Sequence, residues 1–172
     1  MPERIFPYVI SSAGGNNDAS MTDADDVISR TEFDSHANMI VVGKNAHIIN
    51  FTGKKANVQP YSPNYDPQEI PIVDAAILYE CPYSGERIIL VVRDSLFVKE
   101  MDHNLIPPFI MREAGVTVNE VPKIHVYDPS VEDHAVIFKE TSFRVPLSLH
   151  GIFSYFTTSK PSVDDLNRID HV

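Results

Sequence analysis

The stretch Glu32-Phe33-Asp34-Ser35-His36-Ala37-Asn38-Met39-Ile40-Val41-Val42 decides how this chain is read. Its second half, Met39-Ile40-Val41-Val42, is apolar and β-branched, which predicts a strand. Its first half sets a carboxylate, a hydroxyl, an imidazole and a small side chain in four successive positions. Taken alone, Asp34 reads as a turn or strand-end aspartate.

Outward from that stretch the pattern stays β. Strands are expected over residues 39–42, 47–51, 70–79, 87–92, 95–98, 124–127, 134–139, 143–146 and 152–157, all rich in Ile, Val, Phe and Tyr. Turn chemistry separates them at Thr52-Gly53-Lys54, Pro82-Tyr83-Ser84-Gly85 and His150-Gly151. Thirteen prolines favour loops and edges over long helices. Two short helices fit. One, over 109–114, follows Pro107-Pro108 and stops at Gly115. The other, over 162–169, has Ser162 as N-cap with Asp164 and Asp165 in its first turn. The expected fold is mainly β, with one short core helix and a C-terminal helix.

Residues 1–30 differ in composition. Ser11-Ser12-Ala13-Gly14-Gly15-Asn16-Asn17 is polar and Thr22-Asp23-Ala24-Asp25-Asp26 is acidic. Such segments bury too little apolar surface to offset chain entropy, so a flexible N-terminal segment is expected there. The run Ile5-Phe6-Pro7-Tyr8-Val9-Ile10 is a candidate edge strand. Residues 31–172 form the expected β domain with its C-terminal extension. The segment Pro60-Tyr61-Ser62-Pro63-Asn64-Tyr65-Asp66-Pro67 reads as an ordered loop or lid.

The 172 residues carry a formal net charge of -10. Each phosphate contact needs a cation, so direct nucleic acid binding is not expected. No apolar run approaches the ~20 residues that cross a bilayer, so no membrane association is expected. Cys81 is the single cysteine, which excludes an intrachain disulfide and a cysteine-based zinc cluster. A cytoplasmic setting, or a nuclear one, fits best. Asp34, His36, His47, Asp102 and His103 are the possible metal ligands. Asp34 and His36 would share one face if the segment were a strand. They form no His-Glu-x-x-His pattern, and no metal site is expected. Ser35 lacks a Gly-x-Ser-x-Gly elbow, and Cys81 beside Pro82 matches no nucleophile motif.

Three ordered stretches resemble the protease region of copia-type retrotransposon polyproteins, in the divergent branch whose site reads Asp-Ser-His-Ala. The first is Glu32-Phe33-Asp34-Ser35-His36-Ala37 with Val42-Gly43-Lys44-Asn45. The second is Tyr61-Ser62-Pro63-Asn64-Tyr65 with Ile70-Pro71-Ile72-Val73-Asp74-Ala75-Ala76. The third is Ser84-Gly85-Glu86, Leu96-Phe97 and Met101-Asp102-His103-Asn104-Leu105-Ile106-Pro107. The likeness spans roughly residues 32–170. Two departures stand out. Active retropepsins read Asp-Ser/Thr-Gly-Ala, and here His36 replaces the glycine. Relatives in the branch commonly follow the alanine with Asp-Thr, and here Asn38-Met39 follows.

The resemblance implies a retropepsin-like closed β-barrel and an aspartic endopeptidase acting on polyprotein peptide segments. Such an enzyme activates water between two carboxylates that share a proton. Asp94-Ser95 precedes Leu96-Phe97 and reads as a turn, so the second carboxylate would be Asp34 of a second copy. That demands a two-fold homodimer. By the same resemblance Asp34 is catalytic and Ser35 holds the paired loops. His36 and Ala37, with Tyr61 and Tyr65 from a lid over 60–70, meet the substrate. No cofactor is implied. Two other readings stand beside it: a catalytically inactive relic of the same fold, serving as a structural or dimerisation module, and an unrelated β-rich binding domain.

Overall fold

Alternating apolar positions set the centre of the molecule. From Val73 to Tyr79, every second side chain (Val73, Ala75, Ile77, Tyr79) enters the main core. Ala76 and Leu78 between them face the opposite way into a separate cluster with Ile89. Both faces of this strand are covered, so it reads as a nearly continuous apolar run.

The computed structural model describes residues 29–59 and 64–172. The strands are β1 (Ser29–Phe33), β2 (Val41–Val42), β3 (His47–Val58), β4 (Gln68–Glu80), β5 (Arg87–Phe97), β6 (Asn104–Ile106), β7 (Thr117–Asn119), β8 (Ala135–Phe138), β9 (Phe143–Pro146), β10 (Ser148–His150) and β11 (Phe153–Thr158). The helices are α1 (Pro108–Glu113) and α2 (Val163–Arg168). The larger sheet runs β10-β11-β1-β6-β2-β5-β4-β3, and β7-β8-β9 make a second sheet. The pairs β1–β6 and β2–β5 are parallel, and the other ladders of the larger sheet are antiparallel. The fold is mainly β.

The larger sheet does not close, which corrects the expected closed barrel. It curls far enough for Ser159, just past β11, to bridge Leu78 of β4 through two hydrogen bonds of 2.9 Å. Phe156 of β11 meets the Tyr79 ring edge-on at 5.9 Å. The bridge stays isolated. Pro161, two residues on, has no N–H to continue a ladder, and among the described residues β10 and β3 are the two edges.

Several expected elements shift. The two strands expected over 87–92 and 95–98 are one strand, β5, interrupted by a bulge. Asp94 therefore lies within a strand and not at a strand end. It takes a positive φ of 47°, and its N–H donates to Asp74 Oδ1 at 3.1 Å. Residues 124–127 are not a strand. Lys123–His125 form one 3-10 turn after Pro122, and Ile124 and Tyr127 are exposed. Apolar alternation gave the segment a strand pattern, but among the described residues no partner strand pairs with it. Of the N-terminal segment, Ser29 and Arg30 belong to β1. The candidate strand over residues 5–10 lies outside the described residues.

The helices follow their local signals. Pro107 and Pro108 start α1, and Gly115 at φ 85° follows its end. Ile110 and Met111 pack against the main core. Ser162 caps α2 in a reciprocal box with Asp165. Leu166 and Ile169 cover Ala76, Leu78 and Ile89.

Candidate active site at the Asp34 turn

Asp34 sits where the chain leaves β1. That strand lies between β11 on one side and β6 on the other. Because β1 and β6 are parallel, both finish at the same end of the sheet. There β6 leads through Pro107 into α1. The Asp34 N–H donates to Ile106 O at 3.3 Å, fastening the turn to the end of β6. Residues 34–40 then cross to β2, on the far side of β6.

Residues 34–37 form a turn and not a strand. The His36 N–H donates to Asp34 Oδ1 at 2.9 Å, and the Ala37 N–H donates to Asp34 O at 3.3 Å. This is an Asx-type turn, in which the aspartate folds its own backbone around its carboxylate. Asp34 is half-buried, Ser35 and His36 are exposed, and Ala37 is buried. No cation forms an ion pair with Asp34 among the described residues. Ser35 Oγ lies 3.4 Å from His36 Nδ1. The ring is turned to the surface beside the hydroxyl.

A buried polar chain supports β1 behind the turn. Thr31 Oγ1 is 3.0 Å from Thr158 Oγ1 of β11. Asn104 of β6 donates to Thr31 Oγ1 at 3.4 Å and accepts the Gly43 N–H on its Oδ1 at 2.9 Å. Ser29 Oγ donates to Asp102 O at 2.8 Å. Thr31 and Asn104 are fully buried, and buried polar groups persist where they are bonded. The sequence does not mark β1 and β6 as strands, because β1 is mostly polar and β6 is only three residues long. The one signal was the Asn104-Leu105-Ile106 triplet, without its role.

Of the segment expected as a lid, residues 60–63 lie outside the described residues, and Gln68, Glu69 and Ile70 belong to β4. β5 last pairs with β4 at Ile72–Leu96. Beyond that point β3 and β4 continue together from Lys55–Pro71 to Val58–Gln68. This two-stranded arm packs Ala56, Val58 and Ile70 into a second cluster with Val41, Leu96, Leu105 and Met39, the last lying just past the Asp34 turn. Tyr65, in the connection, is 67% exposed and makes no hydrogen bond or ring contact with residues 34–37. Tyr61 lies outside the described residues.

The remaining titratable candidates are scattered. Asp102 pairs with Lys44, whose hydrogen bond and charge hold its carboxyl below the usual range. Burial lowers His103, and the Arg30 charge adds to that effect. Among the described residues no group of three or more His, Cys, Asp or Glu side chains is arranged to hold a metal ion. Nor is any helix long and apolar enough to cross a membrane.

No protein-family model matches the chain, and neither a curated protein nor a solved structure gives a match.

Proposed function

We propose that this domain is a retropepsin-like aspartic endopeptidase of a copia-type retrotransposon polyprotein, working as a homodimer. The supporting observation is the placement of Asp34-Ser35-His36-Ala37. It is an accessible carboxylate turn at the shared end of parallel strands β1 and β6, beside the start of α1 and the base of a projecting hairpin. Retropepsin-like folding beyond the mainly β architecture belongs to this proposal. So do polyprotein peptide segments as substrate, and a cytoplasmic or nuclear setting within an element particle.

In the dimer, Asp34 of each copy contributes one carboxylate. Two carboxylates close together resist double ionisation, so the pair holds one proton. The ionised member takes a proton from water as the oxygen attacks the scissile carbonyl carbon. The protonated member donates to the carbonyl oxygen, and later proton transfer to the amide nitrogen releases the amine. The pair titrates as a unit. Ser35, next to each aspartate, is placed to brace the paired turns, and Ala37 is small enough for close approach.

One observation favours the inactive relic. The Ser35 hydroxyl lies beside its own His36 ring, and an imidazole stands where glycine would leave the turn bare. Cleavage decides between the readings. The purified chain is incubated at high concentration with a mixed peptide library, products are read by mass spectrometry, and association is followed by sedimentation. An active enzyme sediments as a dimer, and Asp34→Asn lowers cleavage by about 10²–10⁴-fold, the scale of a lost acid–base group. Asparagine keeps the Oδ1 that accepts the His36 N–H, so the fold is retained. A monomer at all concentrations, or cleavage indifferent to Asp34→Asn, sinks the protease reading.

A further inference from the structure

At the opposite end of β4 from the hairpin arm, the chain turns through Cys81-Pro82-Tyr83-Ser84-Gly85 into β5. The turn is pinned by Cys81 N–H to Glu86 O at 2.8 Å and Gly85 N–H to Cys81 O at 2.9 Å. Gly85 adopts φ 72°, which its missing Cβ permits. The turn brings the Tyr83 and Ser84 backbone beside the Cys81 sulfur. The Ser84 hydroxyl, near that sulfur, donates to Glu86 Oε2 at 2.9 Å.

A second observation concerns Tyr79, two residues earlier and on the same face. Its side chain is 2% exposed, and its hydroxyl has no hydrogen-bond partner among the described residues. The ring is fixed by Phe143 and Phe156, each edge-on at 5.9 Å. Its hydroxyl is directed towards Cys81 without reaching ordinary hydrogen-bond geometry. A buried, unmade donor is costly unless something fills it. Here the donor lies beside a sulfur.

We propose that Cys81 is a site of oxidation by small hydroperoxides, with the Tyr79 hydroxyl as donor to the sulfenic oxygen. The thiolate sulfur attacks one oxygen of hydrogen peroxide. The S–O bond forms as the O–O bond breaks, sulfur gives up two electrons, and the second oxygen leaves as hydroxide, which takes up the proton the thiol had released. The new oxygen accepts from Tyr79. At 8% exposure Cys81 suits a small oxidant and hinders bulky thiols, which protects the sulfenic acid from condensation. Burial alone raises the thiol, but the bonds from the Ser84 side chain and backbone and from the Tyr83 N–H outweigh it and hold Cys81 below its ordinary range. That sets the thiolate fraction available for attack. The site is independent of the Asp34 turn and does not rest on the protease reading.

The test treats the full chain with hydrogen peroxide at pH 7 in the presence of dimedone and follows the Cys81 adduct by mass spectrometry. The folded chain is expected to label faster than the same chain in urea. Tyr79→Phe keeps the ring and removes the donor, and is expected to slow labelling about fivefold, the worth of one ordinary hydrogen bond. Labelling no faster folded than unfolded overturns the proposal. So does a Tyr79→Phe chain with native circular dichroism that labels at the wild-type rate. If Tyr79→Phe does not fold, Ser84→Ala on the exposed turn carries the test: about fivefold slower labelling supports the site, and an unchanged rate overturns it.

Discussion

Asn104 shows how one polar residue can organise a site it does not belong to. Its side chain is fully buried and joins β6 to Thr31 of β1 and to Gly43 after β2. Gly43 is itself constrained, since a Cβ there would lie 2.2 Å from Met101 O. Asn104→Ala leaves the Gly43 N–H without its acceptor, at a cost of about 1–3 kcal/mol. Urea unfolding of the two chains measures that difference. A midpoint unchanged by the substitution would mean that water replaces the amide and that the chain of bonds behind Asp34 is dispensable. Asp34 and Ser35 were legible as candidates because a carboxylate and a hydroxyl side by side are visible in any sequence. The bond from the His36 N–H to the aspartate oxygen was not, because it depends on φ and ψ within the turn.

Elements with strong local signals came out of the sequence nearly intact. α2 is the clearest case. A serine followed three residues later by an acidic side chain forms the reciprocal cap, with Ser162 N–H to Asp165 Oδ2 at 2.9 Å and Asp165 N–H to Ser162 Oγ at 3.1 Å. Ser162→Ala removes one arm of the box and is expected to cost about 1 kcal/mol. The loss is local: amide exchange should quicken in Val163–Arg168 and leave β4 protected. Equal quickening in β4 would show that α2 and the sheet unfold as one unit. The β5 strand illustrates the opposite lesson. Asp94 broke the apolar pattern, so the sequence suggested two strands. Its bond to Asp74 instead absorbs the extra residue as a bulge, and pairing with β4 continues on both sides. The 124–127 segment failed for the complementary reason: a strand is completed by its neighbour, and this one has none among the described residues.

At the scale of the whole molecule, the small sheet is joined to the large one through a buried histidine. His134, at positive φ, sits 2.9 Å from Ser154 Oγ of β11 through Nε2, and its backbone O accepts the Leu147 N–H at 2.9 Å. Burial, with a smaller effect from the Lys123 charge, depresses its proton affinity. The unfolded chain therefore binds a proton near the ordinary imidazole value of about 6.5, while the folded chain resists it. Stability is fully present above that pH and falls as the pH drops through it, levelling once the folded form also protonates. His103, depressed chiefly by burial, adds in the same direction. Thermal midpoints between pH 7.5 and 5 are expected to decline, and His134→Asn, which tolerates the left-handed backbone, to flatten the decline. An identical slope in the variant would remove His134 from the account. Asp102, Asp133 and Asp165, lowered by their hydrogen bonds, lose their contribution only in the more acidic carboxylate range.

The sequence by itself determined the β class, both helices and the turns at Pro82-Tyr83-Ser84-Gly85 and His150-Gly151, while the turn expected at Thr52-Gly53-Lys54 is instead an irregularity within β3. These depend on side-chain chemistry within a few residues: apolar alternation, proline and glycine limits on φ, and capping. Only the tertiary structure decided that β6 inserts between β1 and β2, that the large sheet curls to a single Leu78–Ser159 bridge without closing, and that the Tyr79 hydroxyl is left unbonded beside Cys81. Each of these depends on which distant strand or ring arrives alongside. Backbone hydrogen bonding is chemically alike at nearly every residue, so local sequence does not encode the choice of partner; the burial of the whole chain does.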